Sequence, residues 1–469
     1  MTSAVDVAVI GGGVAGLVAA RAAAAAGATV TLLEAADHFG GLVGHHRLAG
    51  LTLDSGAESF ATRGGHVASL ARELGLDEVT PTPVPARVLF DGTLHPLPRA
   101  GILGIPTDLD AAGLAEVLGA DGLARAREDL TLPVTHGRDT ARASLAALVR
   151  SRMGTAVLDR LVRPIVRGVH SVEPEELRAE VLLPGIGDRL ATHGSLAGAL
   201  ADIRAASPAG SAVAGIDGGV HRLTGALADD LTAHGVTLMT ASRALAAHRT
   251  PGGWSMTVTA PDGAARHLQA TSLVLATAPH TWPALPDDLT RLGADWPPPQ
   301  QIDLLTLVLR AGDLPPHERA GTLVADPGQG AKALTYASAK WEWVQREAGP
   351  DRAVVRLSYG TDPDGAPIVP AAEPDSQHPL AQHRLALRDA ARLTGTAEAW
   401  PGHALEAVAH TRLTPPAPVL GWETSQRVGP LREASDAVGN LHLTGAWICG
   451  SGLASVVPHA QAAGTAAAP

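Results

Sequence analysis

Gly11-Gly12-Gly13-Val14-Ala15-Gly16, with Glu34 18 residues beyond the last glycine, is where residue type and spacing most directly imply chemistry. A GxGxxG run permits a tight turn at its first glycine, backbone approach to a pyrophosphate at the second and close helix–strand packing at the third. A carboxylate placed like Glu34 can accept hydrogen bonds from both ribose hydroxyls of an adenosine. The elements needed to position these groups occur in order. Residues 6–10 read as an apolar strand, 14–26 as an alanine-rich helix closed by Gly27, and 29–33 as a second strand that delivers Glu34. The helix then offers its free N-terminal N–H groups and positive dipole end to the phosphates. A glycine-rich turn that binds nothing is the plain alternative, and the register of strand, glycines, helix, strand and acid argues against it. FAD and NAD both stay open at this point.

Two further features favour the larger FAD. A glycine pair, Gly40-Gly41, follows Glu34, and Asp54-Ser55-Gly56-Ala57-Glu58-Ser59-Phe60 comes soon after. Near the C-terminus, residues 440–444 read as a strand running into Gly445-Ala446-Trp447-Ile448-Cys449-Gly450-Ser451-Gly452-Leu453, with a helix from about Ala454. A second strand–glycine–helix element could bring another helix N-terminus to the same cofactor. The expected cofactor contacts are therefore Gly11, Gly13, Val14, Ala15, Gly16, Glu34, Ala35, Gly40, Gly41, Leu42, Gly56, Ala57, Gly445, Trp447, Gly452, Leu453 and Val456.

Composition narrows the classes. The chain has 469 residues, 45% hydrophobic and 18% charged, enough for a folded protein of two to four domains. A net charge of -11 gives no overall basic surface for nucleic acid. The single cysteine, Cys449, excludes an internal disulfide and a CxxC site, which suits a cytoplasmic location. No apolar run is long enough to span a membrane, and no charged leader precedes an apolar core. The 20 histidines show no HExxH-like spacing, so no metal is expected, and His45 and His46 should diverge on a strand. Lysine occurs only at Lys332 and Lys340, a bias read first as genomic.

At the glycine motifs the sequence resembles the flavin-containing amine oxidase superfamily, and within it the porphyrinogen oxidases of haem synthesis. Gly92-Thr93-Leu94-His95-Pro96-Leu97-Pro98 with Leu103-Gly104-Ile105-Pro106 is similar to an early substrate-region signature of that family. Arg160-Leu161-Val162-Arg163-Pro164 with Gly168-Val169-His170-Ser171 resembles its helical-domain signature, and Gly218-Gly219-Val220 and Leu273–Pro279 resemble strands that rejoin the FAD domain. Gly321–Val324 leading through Ala331-Lys332-Ala333-Leu334-Thr335-Tyr336-Ala337-Ser338-Ala339-Lys340-Trp341 looks like the bacterial, coproporphyrin-forming branch. Departures occur at His38, where the family usually has arginine, and at Ala417-Pro418-Val419-Leu420 and Glu423-Thr424.

The resemblance implies an α/β fold: a Rossmann-type FAD-binding domain (1–85, 210–290, 425–469), a sheet-based substrate domain (86–104, 291–424) and a helical domain (105–209). It implies oxidation of coproporphyrinogen III to coproporphyrin III by oxygen, with hydride passing to flavin N5 and hydrogen peroxide released. Such chemistry needs positioning more than side-chain catalysis, so no triad or carboxylate dyad is expected. Lys340 sits where related oxidases can hold a lysine near the flavin, to orient water or oxygen; an ordinary strand-end lysine is the alternative. Arg87 lies near the position of a propionate-binding arginine; a solvated surface arginine is the alternative. On the helix from about Thr155, Val157, Leu161 and Ile165 define a buried stripe, with Arg150, Arg152, Arg160, Arg163 and Arg167 around it as a solvated face. Cys449 reads as a buried free thiol, against a covalent flavin link. Protoporphyrinogen IX oxidation, an amine oxidase or desaturase, and a non-catalytic FAD-binding protein remain alternatives. Transient handover to a ferrochelatase is the partner expected, and peripheral membrane contact stays open.

Overall fold

The computed structural model describes residues 3–98, 101–134, 143–205, 212–294, 296–311, 320–325, 330–362, 365–369, 383–396, 403–417 and 422–469. Pro418, Val419 and Leu420, part of the departure from the family pattern, lie outside them. The fold is α/β, with two seven-stranded sheets and a layer of helices.

In the first sheet, Ser3–Ile10 pairs in parallel with Val30–Leu33 on one side and Ala265–Leu275 on the other. Thr237–Met239 extends the sheet past Val30–Leu33, which is buried along its whole length. Ala265–Leu275 changes partners midway. Its first half pairs antiparallel with Gly253–Thr259 and alternates in burial; from Ser272 it is continuously buried and runs parallel to Leu441–Leu443. The helix Val14–Ala25 presents mostly alanine, so the last helix, Leu453–Ala467, packs onto it, with Val14, Leu17 and Val18 sharing a core with Val456, Val457 and Ala460.

The second sheet runs Leu405–Leu413, Ile302–Arg310, Arg352–Tyr359, Ala333–Tyr336, Gly321–Val324, Ala86–Phe90, Thr93–Pro96. Period-two alternation sends Leu305, Leu307, Leu357 and Tyr359 to a face covered by the helix Arg384–Thr394. The opposite face carries Thr306, Arg356 and Thr335, which the strand register places side by side.

The helical layer has its own core of Leu114, Val117, Leu145, Val149, Met153, Leu158, Leu161, Val162, Leu190 and Leu200, joined to Val88 and Phe90 of the second sheet. Two expectations need correcting here. The helix after Thr155 contains a π-helical segment, Leu158–Val162, just before Pro164. Proline lacks an N–H and crowds the carbonyl four residues back, and the wider turn absorbs an extra residue. The stripe therefore shifts from Ile165, which is half-buried, to Val166, which is fully buried. Of the arginines around it, Arg150 is exposed as a solvated face requires, while Arg152 is buried and Arg160, Arg163 and Arg167 are half-buried. Arg152 is buried against Asp129, with Nε 2.6 Å from Oδ1, and also donates to the carbonyls of Asp129, Leu132, Pro133 and Gly194. Arg160 donates to the carbonyls of Val117 and Leu118, while Arg163 binds Asp159, Glu173 and Glu175.

Candidate functional site

The carboxyl ends of three parallel strands meet at one place. Ala276 N donates to Ile10 O, Thr444 N donates to Leu275 O, and Gly11 and Gly445 turn the chain directly beyond them. Such a crevice is where open α/β sheets bind ligands. Gly16 sits so close to the turn that a Cβ would fall 1.8 Å from Gly11 O, which is the close helix–strand approach the third glycine must allow. Gly13 ends the turn at the N-terminus of the helix Val14–Ala25, where no side chain caps the amides and the space beside Gly13 is open. Those amides lack partners of their own and suit a pyrophosphate. Glu34, half-buried, accepts from Gly12 N at 2.6 Å and Ala36 N at 2.7 Å, so its carboxylate is fixed beside the glycine loop. Ala35 next to it is exposed.

The remaining expected contacts are tied to this loop by backbone bonds. Gly40 N donates to Gly12 O, Gly40 bridges to Gly13, and Ala57 N donates to Leu42 O. A Cβ on Gly56 would lie 2.0 Å from Leu42 O, so only glycine lets the Gly56-Ala57 segment reach the Gly40-Gly41-Leu42 turn. Gly452 opens the last helix without a side-chain cap, and Leu453 and Val456 share an apolar cluster with Val14 and Ala15. Trp447 is the exception among side chains. Its indole is buried beneath the loop, edge-on to Trp282 and Trp296 and bonded to Thr444 O, so only its backbone is available to a cofactor. Cys449 donates to Gly445 O, and burial pushes its thiol up to about 11, which disfavours the thiolate a covalent link would need. His38, in place of the family arginine, is exposed and paired with Asp37 at 2.6 Å. This set of amides and one carboxylate fits a dinucleotide.

Opposite the glycine loops lies a charged cluster that the sequence reading missed in part. Lys340 Nζ donates to Glu58 Oε1 and Arg356 Nη1 to Glu58 Oε2, each at 2.7 Å, while Arg356 Nη2 donates to Gly56 O at 2.7 Å. Burial raises the Glu58 carboxyl, but the charges and hydrogen bonds of Lys340 and Arg356 outweigh it and hold it at about 2. Two cations thus flank one carboxylate, leaving a net positive charge beside the Gly56-Ala57 segment. Nearby, both ring nitrogens of His46 are buried without a partner among the described residues. Burial and then the Arg356 charge lower its pKa to about 4, so the ring is neutral. Asp54, on the paired strand, accepts from Val220 N and His221 N and lies 2.8 Å from His221 Nδ1. The sequence points to Lys340 and not to Glu58 or Arg356, although an arginine inside the apolar strand Arg352–Tyr359 is the available signal.

Arg87 is placed elsewhere. Its register partner across the parallel pair is Thr322, which donates to Leu393 O on the covering helix. Directly paired residues share a face, so Arg87 points to the Arg384–Thr394 side and not to the face of Arg356. Among the described residues, no group of three or more His, Cys, Asp and Glu side chains could hold a metal ion, and no helix is long and apolar enough to cross a membrane.

A family model described as flavin containing amine oxidoreductase matches residues 14–306. A protein of Mycobacterium tuberculosis named coproporphyrinogen III oxidase is 32% identical over 369 residues, covering 75% of this chain and 76% of that one. A protein of the same name from Propionibacterium freudenreichii subsp. freudenreichii is 28% identical over 421 residues, 79% of this chain and 73% of the relative. A crystal structure from Exiguobacterium sp., provisionally named a protoporphyrinogen oxidase, superposes with a TM-score of 0.78 at 22% identity, covering 98% of each chain. That last likeness shows the fold.

Proposed function

Because this chain belongs to the flavin-containing amine oxidoreductase family, we propose that it oxidises coproporphyrinogen III to coproporphyrin III in haem synthesis, with oxygen as final acceptor. The chain is an FAD-dependent oxidoreductase. The observation that carries the substrate is its likeness, across three quarters of both chains, to proteins named coproporphyrinogen III oxidase. Gly11–Gly16, Glu34, Gly40–Leu42 and the helix N-terminus at Gly452 would hold the dinucleotide. Bound FAD supplies the two-electron acceptor that oxygen reoxidises, with release of hydrogen peroxide.

The chain's own residues then have modest tasks. Over three oxidations three ring methylenes each give up a hydride, and three protons leave, two from pyrrole nitrogens and one from the fourth methylene carbon, and aromatisation drives the sequence. Lys340 donates one ammonium hydrogen bond to Glu58 and has its remaining N–H groups for water or oxygen as negative charge develops there. Arg356 fixes Glu58, so the Lys340 ammonium stays in place. The two sheets exclude bulk water from the reacting ring. A cytoplasmic site of action suits the lone cysteine. Handover of the product to a ferrochelatase follows from the reactivity of free porphyrins, and a coupled assay without any transfer effect would remove it.

The test is porphyrin fluorescence and peroxide release in air from the yellow holoenzyme, given coproporphyrinogen III or protoporphyrinogen IX, beside an enzyme-free autoxidation control. Faster coproporphyrin formation is expected. Preference for protoporphyrinogen would move the chain to the other porphyrinogen branch, and turnover of neither would end the porphyrinogen reading.

A further inference from the structure

The chain's two lysines lie on either side of one strand. Lys332 directly precedes Ala333–Tyr336 and Lys340 ends the helical turn Ala337–Lys340 that follows it, while all other basic side chains that are always charged are arginines. Lys340, at the end near Gly56, is neutralised by Glu58. Lys332, at the other end, has no carboxylate partner among the described residues, and its Nζ donates to Ser171 Oγ at 2.7 Å. The charge that acts on it is another cation, Arg167, whose own Nε is held by Glu173 at 2.5 Å. Burial first, and then Arg167, lower the Lys332 pKa to about 8.

Ser171 is held to meet this lysine. It ends the helix Arg163–His170 with a left-handed φ of 58°, and Gln300 Nε2 donates to its carbonyl at 3.1 Å. The same helix lies tight on the sheet, since a Cβ on Gly168 would come 3.0 Å from Leu323 Cδ2. A half-buried ammonium with a hydroxyl and a like charge for company is electrostatically incomplete, because among the described residues no carboxylate compensates its lost hydration. A carboxylate would complete it, accepting from Lys332 Nζ and from the Ser171 hydroxyl. A compact ammonium suits one carboxylate oxygen in a confined space where a guanidinium fork would not. A four-residue strand rises ~13 Å, so a ring at the Lys340 end can extend a side arm to the Lys332 end.

We infer that Lys332 Nζ and Ser171 Oγ, backed by Arg167, form a carboxylate subsite that grips one propionate of the substrate, an assignment that rests on the porphyrinogen reading. Arg163 and Glu173, which hold each other and Arg167, keep the surrounding charges fixed, so Lys332 is the cation left for the ligand.

The experiment is a two-by-two comparison of holoenzyme: wild type and K332M, each titrated with coproporphyrin III and with its tetramethyl ester, read by porphyrin fluorescence. The acid should bind K332M about tenfold or more weakly than wild type, as for loss of a hydrogen bond to a charged group, while ester binding stays unchanged. Equal losses for acid and ester, or no loss for either, would overturn the subsite. Should K332M lose its flavin absorbance, K332Q, which keeps length and polarity without charge, is compared in the same way. Wild-type holoenzyme that binds neither porphyrin and oxidises no porphyrinogen would remove the porphyrinogen reading and the subsite together, an outcome distinct from failure of the subsite alone.

Discussion

The glycine cradle and the charged cluster opposite it are built on different principles. The cradle uses backbone: Gly12, Gly16, Gly40 and Gly56 bring main-chain atoms together, and Glu34 is the acidic side chain fixed beside them. The cluster uses side chains delivered by different elements, with Lys340 reaching Glu58 across 282 residues of sequence and Arg356 across 298. A backbone site tolerates no added atoms but is indifferent to charge. A side-chain site tolerates changes of shape but depends on charge balance. Substitutions in the two regions should therefore fail in different ways.

The largest effect is expected for Gly16→Val. Its Cβ would sit 1.8 Å from Gly11 O, a main-chain atom that cannot rotate aside, so helix and strand must separate. Purified protein should be colourless or insoluble, and a yellow G16V with normal flavin content would break the account of the cradle.

Next is Glu58→Ala, which leaves the buried Arg356 and the half-buried Lys340 without their carboxylate. Removing one partner from a buried pair costs about 3–5 kcal/mol, visible as a lower Tm in thermal unfolding of the holoenzyme. The pH dependence sharpens the point. Glu58 is held at about 2, below its ordinary value, so its stabilisation is complete above ~4.5 and is lost as pH falls through the folded value. The Tm gap between wild type and E58A should narrow over that acid range; a gap that widens there would contradict the charge assignment.

This contrast also decides what could be read in the sequence. The cradle was legible because its glycines, strands and acid lie within residues 3–57 and each obeys a local rule of spacing. The C-terminal Gly445–Gly452 run was legible for the same reason, except that Trp447 turns its ring into the core, a choice made by distant Trp282 and Trp296. The cluster was half legible. Lys340 stood in a recognisable stretch, but its partners are set by the pairing of Ala333–Tyr336 with Arg352–Tyr359, which no local pattern specifies. The stripe on the Thr155 helix failed at Ile165 because periodicity assumes an unbroken α-helix, and Pro164 breaks it.

A smaller effect is expected for Lys340→Met, which keeps the length of the side chain while removing the ammonium that lies 5.1 Å from the Trp341 ring centre. Arg356 still holds Glu58, so flavin content should be retained and kcat in air should fall about tenfold, with KM changed far less. A KM increase at constant kcat would make Lys340 a substrate grip in place of a positioning group for water or oxygen.

The smallest effect is expected for Arg87→Ala, the substitution that compares the two faces of the second sheet. A propionate contact at Arg87 would raise KM for coproporphyrinogen III by about tenfold or more. The register argues otherwise, because Arg87 pairs with Thr322, whose hydroxyl is bound to the helix covering the far face, while Arg356 and Thr335 occupy the face toward Glu58. R87A should leave KM within about twofold, as for a surface-type substitution, and register chiefly as a small loss of stability. A large KM increase would mean that substrate reaches around the sheet edge, and the face assignment underlying both lysine roles would then have to be redrawn.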